Sequence, residues 1–175
     1  MVMSELNYSS MEYLYTNVSR HINELRDSDQ LSLSNDIAVI LTKLVIVDGS
    51  SIFENYIKTC IFSIAENKKA QNLIEMLMEK KFWSMFDSKF KSLNRFLKHF
   101  GSEFSEEFIN SVKDNEELSD SERNFLRLLQ LRGDLVHNNN SLSYSIPVTH
   151  EEAHNTFTRS ILIVKYLAEN LCKKL

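Results

Sequence analysis

Turn-forming residues are nearly missing from this sequence, which has three glycines and one proline in 175 residues. A sandwich or barrel joins many short strands through tight turns that draw on both residue types. An all-β architecture is therefore excluded and an all-helical one expected. Cysteine is as scarce: Cys60 and Cys172 sit among apolar neighbours far apart in the chain. Two reduced, buried thiols fit that placement better than a disulfide framework or a thiolate metal site. The opening stretch MVMSELNYSSMEY has no basic segment leading into an apolar one, so no secretory signal is expected. No run approaches the ~20 apolar residues that cross a bilayer, and a cytoplasmic protein without membrane contact is expected. An excess of positive charge is missing too. At a formal net charge of -4, nothing global marks a nucleic-acid protein. No glycine-rich loop is present to cradle phosphates, which excludes P-loop hydrolysis, and no strand–turn–helix context supports a Ser/His/Asp nucleophile.

The residues that are present, 43% of them apolar, suffice for one core and argue for one domain over residues 1–175. Charge is unevenly spread along them. Between Lys68 and Lys98 eight Lys/Arg face three Asp/Glu, and between Glu103 and Glu122 eight acids face one lysine. Each reads first as a solvated helix face, and the first also as a basic strip that could follow a phosphate backbone. Ser9 and Glu12 have the spacing of a capping box for an N-terminal helix within residues 1–30, closed by the polar run DSDQ. The segment SNDIAVILTKLVIVDGSSIFENYIKTCIFSIAENKK is apolar enough for the central helix, with a weak point expected at Asp48-Gly49-Ser50. AQNLIEMLMEKKFW, SKFKSLNRFLKHF (stopped by Gly101) and SEEFINSVK read as shorter helices. Ser119 and Glu122 predict a cap for SERNFLRLLQLRGDLVH. After the polar turn NNNSLSYSIP, Thr149 and Glu152 predict a cap for a last helix with Phe157, Ile161, Val164, Ala168 and Leu171 on its inner stripe.

One charge lies where the helical pattern forbids a lone one. With Phe125 at zero on a helical wheel, Leu128, Leu129, Leu135 and Val136 fall within about 80°, and Arg132 lands at about -20°, in the middle of the apolar stripe. Burying an unpaired guanidinium costs several kcal/mol, so Arg132 needs an acid, an anionic ligand or a partner chain. Glu54, on the flank of the central helix's apolar arc, is the candidate acid. His137 follows five residues after Arg132, about 140° around a regular helix. Aiming both side chains at one point therefore requires either a helix that loosens at its end or a second chain across a two-fold axis. Asn138-Asn139-Asn140 favour a helix end there. An imidazole near such an end can give and take protons at neutral pH. Arg132-Gly133-Asp134 also spells a cell-adhesion tripeptide, but its arginine points into the stripe.

Taken together, LVIVDGSSIFENYI, LLQLRGDLVHNN and SIPVTHEEAHNTF with its closing helix resemble the HEPN superfamily (higher eukaryotes and prokaryotes nucleotide-binding), in particular its stand-alone ribonuclease-like branch. The resemblance runs from residue 35 to 175. It implies a single-domain helical bundle that dimerises so that two Arg-x4-His motifs face a shared cleft. It also implies cleavage of an RNA substrate without metal or cofactor, the ribose 2'-hydroxyl attacking the adjacent phosphate, in a toxin or antiphage-defence component restrained by an antitoxin or other regulatory protein. Carried onto this chain, His137 is the general acid/base, Arg132 holds the phosphate and Glu54 orients Arg132. The family has a polar residue, often Asn or Asp, directly after the arginine. Here Gly133 stands there, with Asp134 about one turn before His137 as the substitute and Asn138 as a further supporting group. A non-catalytic HEPN module that binds RNA, a nucleotide or a protein is the alternative.

His150-Glu151-Glu152-Ala153-His154 matches the zinc-protease pattern HExxH. No third ligand follows except Glu169, and acids in a first turn also complement the helix dipole, so a solvated helix start is expected ahead of a zinc hydrolase. His21 and His99 read as surface residues. Phe82, Trp83 and Phe86 read as a core corner, with base stacking the alternative.

Overall fold

The computed structural model describes residues 5–65, 69–70, 72–76, 78, 93–137 and 145–174. Its elements run in the order α1 (Ser9–Asp27), α2 (Leu31–Ile64), α3 (Asn94–Leu97), a 3-10 turn (Lys98–Phe100), α4 (Ser102–Lys113), α5 (Glu116–His137) and α6 (His150–Lys174). No strand occurs among the described residues, as the shortage of Gly and Pro predicts. Most of the basic strip, the aromatic trio Phe82, Trp83 and Phe86, and Asn138 lie outside the described residues.

α2 is the axis of the bundle and packs against α1, α5 and α6. Its buried side includes Leu41, Val45, Ile46, Phe53, Ile57 and Ile61. Phe53 stacks on Phe157 of α6 at 4.9 Å between ring centroids and meets Phe125 of α5 at 6.0 Å. Each such ring removed from water contributes about 1.5–3 kcal/mol. The expected weak point at Gly49 does not appear, and α2 continues through it as a helix. Gly49 is a place of close approach: an added Cβ would come within 2.7 Å of the Phe157 ring. Missing side-chain volume, which suggested a break, is what admits α6.

Four buried hydroxyls of α2 and α6 are satisfied within their own helices, while that of Ser34 accepts from Arg26 Nε of α1. Thr42 donates to the Ala38 carbonyl, Ser50 to Ile46, Thr156 to Glu152 and Ser160 to Thr156. This local pairing lets polar residues sit in the core without partners elsewhere. Ser121 of α5 does more: its hydroxyl donates to the Arg159 carbonyl (2.6 Å) and accepts from the Ile163 N–H (2.8 Å). Those two backbone groups stand four residues apart on α6, so one side chain fixes the register of α5 against α6.

Two of the three predicted capping boxes do not form. Ser9 turns to Asn7, whose Oδ1 accepts from both its N–H and its hydroxyl, while Glu12 is taken by His154. α5 starts earlier than Ser119 predicts, because Asn115 Oδ1 accepts the Leu118 N–H and caps it. Glu122 is then released to accept the Leu93 N–H at the start of α3. The third box is formed. Thr149 Oγ1 accepts the Glu152 N–H at 3.2 Å and Glu152 Oε2 accepts the Thr149 N–H at 2.9 Å. Behind it Phe157, Val164, Ala168 and Leu171 are buried as predicted, and Ile161 is partly so. Gly101 ends the 3-10 turn with φ 110°, a value that only glycine adopts without strain.

Candidate functional site

α5 brings the motif to α2. Phe125, Leu128, Leu129 and Leu135 are buried as its stripe predicts. That packing carries Arg132 inward, where its Nη1 donates to Glu54 Oε1. The ion pair expected from the two helical wheels is thus formed, between side chains only 12% and 5% exposed. Val136 departs from the expected stripe. It shares the angular position of Arg132 one turn later, yet is 55% exposed, because the face that meets Glu54 at position 132 is open to solvent at the helix end.

Burial pushes the Glu54 carboxyl above the usual carboxylate range. The Arg132 guanidinium opposes that shift, and so, more weakly, does the Lys58 ammonium. The net direction is upward because loss of water outweighs the single strong partner. Lys58 was not among the residues singled out from the sequence. Its signal was available: it follows Glu54 by four residues, the spacing at which helical side chains are neighbours. Glu54 therefore has two cations beside it, Arg132 bonded to it and Lys58 one turn further along α2.

His137 is the last residue of α5. The helical backbone runs unbroken to it, which leaves positions 132 and 137 about 140° apart around the helix. Loosening of the helix before His137, one of the two ways to converge the motif, does not occur. The side chain of His137 lies outside the described part of the structure. Asp134 is half-buried on α5 between the two motif residues, and Gly133 continues the helix beside Arg132.

The HEEAH stretch is built differently from a solvated helix start. His150 is buried and its Nδ1 lies 3.1 Å from a carboxylate oxygen of Glu151. Burial lowers its pKa below the usual imidazole value; Glu151 opposes this and Arg26 adds to it. His154 Nε2 donates to both oxygens of Glu12, at 3.0 and 3.1 Å, and its ring stacks on Tyr15 at 3.6 Å. His154 thus ties α6 to α1, and the His150 ring lies near Tyr15 of α1, 6.2 Å between centroids. Among the described residues no group of three or more His, Cys, Asp or Glu is arranged to hold a metal ion. His21 is exposed and paired with Glu24, and His99 is exposed. Cys60 is buried, its thiol pushed up to about 12 chiefly by burial and further by neighbouring Cys172. No helix among the described residues is long and apolar enough to cross a membrane.

Comparison with known proteins places this arrangement in a family. No curated protein and no solved structure matches the chain. A family model described as RiboL-PSP-HEPN matches residues 11–173. The match begins inside α1, ahead of residue 35, so the N-terminal helix is part of the family's domain as well as of this packing. With nearly its whole length matched, an all-helical architecture and the Arg132-x4-His137 motif on α5, the chain belongs to the RiboL-PSP-HEPN family of HEPN domains.

Proposed function

We propose that the chain is a metal-independent endoribonuclease that acts as a dimer. The observation that carries this reading is the buried Arg132–Glu54 pair, held on the helix that ends at His137. A guanidinium fixed by a carboxylate presents its remaining N–H groups in a set direction and binds phosphate through a planar fork. Because the unbroken helix leaves the two motif positions about 140° apart, a second copy supplies the complementary half of the site.

In this reading a ribose 2'-hydroxyl attacks the adjacent phosphorus, and the bond to the 5'-oxygen breaks. The His137 imidazole takes the hydroxyl proton, and His137 of the partner subunit returns one to the departing oxygen. Arg132 stabilises the charge that builds on the phosphoryl oxygens, while Glu54 orients Arg132 as a positioning residue. Asp134 and Asn138 support the pair at the helix end. Purified protein in EDTA should cut single-stranded RNA or tRNA and leave 2',3'-cyclic phosphate ends, and His137→Ala should lose roughly 100-fold or more in rate. RNA left intact by concentrated, folded protein overturns the reading. Growth arrest on expression, relieved by Arg132→Ala, would extend it to a toxin or antiphage-defence role held in check by an antitoxin.

One observation favours a second reading, a HEPN module that binds RNA, a nucleotide or a protein without cleavage. Arg132 is only 12% exposed and already bonded to Glu54, as a guanidinium with a structural role would be. Retention of RNA on a filter without cleavage, lost on Arg132→Ala, is its signature.

A further inference from the structure

The chain's two cysteines, Cys60 of α2 and Cys172 near the end of α6, are both free thiols. The packing of α6 on α2 brings them together from positions far apart in the chain, with the two thiols in hydrogen-bond contact. Ser63 stands beside them. Its hydroxyl donates to the Cys60 carbonyl at 2.7 Å and lies 3.8 Å from the Cys172 sulfur. Tyr56, one turn before Cys60, also neighbours both thiols, which add to the upward shift that burial gives its phenol. The two sulfurs differ in access: Cys60 is 3% exposed, whereas Cys172 is half-buried near its helix end, where a small solute can reach it. Neither belongs to the Arg132–Glu54 site, although Cys60 lies less than two turns beyond Glu54 along α2.

We infer that Cys60 and Cys172 are a redox-modification site: a small-molecule disulfide of the glutathione type oxidises them to an intramolecular bridge that locks the end of α6 onto α2. Cys172, the reachable sulfur, gives up its proton and attacks the solute disulfide. A bond forms from Cys172 to one solute sulfur, the solute S–S bond breaks, and the other half leaves as a thiol carrying that proton. Cys60 then attacks the Cys172 sulfur of this mixed disulfide, and its proton goes to the second departing thiolate. Two protein thiols and one solute disulfide thus become one protein disulfide and two solute thiols. Access fixes the order of events. Cys60 is shielded from solutes and its thiol is pushed up to about 12, so it is no first nucleophile, while its contact with Cys172 makes the second, intramolecular attack favourable. The bridge would close a long loop and so restrict the unfolded chain, which stabilises the packed form of α6.

The full chain incubated with oxidised glutathione should lose two hydrogens in intact mass and show a Cys60–Cys172 link in a non-reducing peptide map. Its Tm should rise by roughly 5 °C or more and return on adding dithiothreitol. Cys60→Ser should stop at one glutathione on Cys172, and folded Cys172→Ser should take up none. Cys60→Ala repeats the arrest at the mixed disulfide should serine disturb the core. A wild type that stays reduced, that stops at the mixed disulfide, or that links two chains through Cys172 overturns the inference. So does Cys172→Ser modified as fast as wild type, and a bridged chain whose Tm does not rise overturns the lock.

Discussion

Arg132 and Glu54 have both given up most of their water, and they are paired with each other. Removing one partner leaves a buried charge, so Glu54→Leu and Arg132→Leu should each destabilise the fold by about 3–5 kcal/mol. The double variant should regain most of that loss, because a buried ion pair replaced by apolar groups of similar volume is often neutral or better. Urea denaturation of the four proteins measures the difference. The comparison separates stability from function, since the double variant should fold normally and cut no RNA. Glu54→Asp, which keeps the charge and shortens its reach, should retain more stability than Glu54→Leu and leave Arg132 less well aimed.

At the scale of helices, Gly49 and Phe157 set how closely α2 and α6 approach. Gly49→Ala gains up to about 1 kcal/mol of helix propensity, but its methyl must displace a ring already stacked on Phe53. Overpacking of that kind costs about 1–3 kcal/mol, so a net loss is expected, visible as a lower midpoint in urea. The same residue shows what the sequence can and cannot convey. A glycine inside a helical pattern signals either a break or a close approach, and only the neighbouring helix decides which. The box at Thr149 was legible because its partners lie within one turn. Those at Ser9 and Ser119 were not, because distant residues compete: His154 takes Glu12, and Leu93 takes Glu122. The Arg132–Glu54 pair was legible despite a separation of 78 positions because both charges interrupt apolar arcs, and few acids were placed to answer the arginine. Lys58 escaped notice because a lysine four residues from a glutamate is ordinary on any helix surface. The placement of His150 and His154 against α1 escaped because nothing in the first turn of α6 reveals what lies against it.

Across the whole molecule, the packing of α1, α2, α5 and α6 into a continuous core is the basis for expecting one cooperative unit. Buried His150 makes that unit sensitive to acid. A histidine whose folded-state pKa is depressed adds stability above the ordinary imidazole value, about 6.5, and loses it as pH falls toward the lower folded value. Thermal unfolding should therefore show a single transition at pH 7 whose midpoint drops by pH 5, with a smaller drop in His150→Gln. Two separate transitions at pH 7 would show the ends of the chain to be independent of its middle.

Glu12 and His154 are joined across 142 positions, and α6 also supplies Phe157 against Gly49 and the backbone groups that grip Ser121. During synthesis, then, the packing of α2 and α5 is completed only when α6 arrives. A nascent chain that has reached residue 149 already carries Glu54, Arg132 and His137, but not the helix that packs the core around the first two. Assembly of the Arg132–Glu54 site is therefore expected to wait until most of α6 has been synthesised, so the order of translation itself delays it.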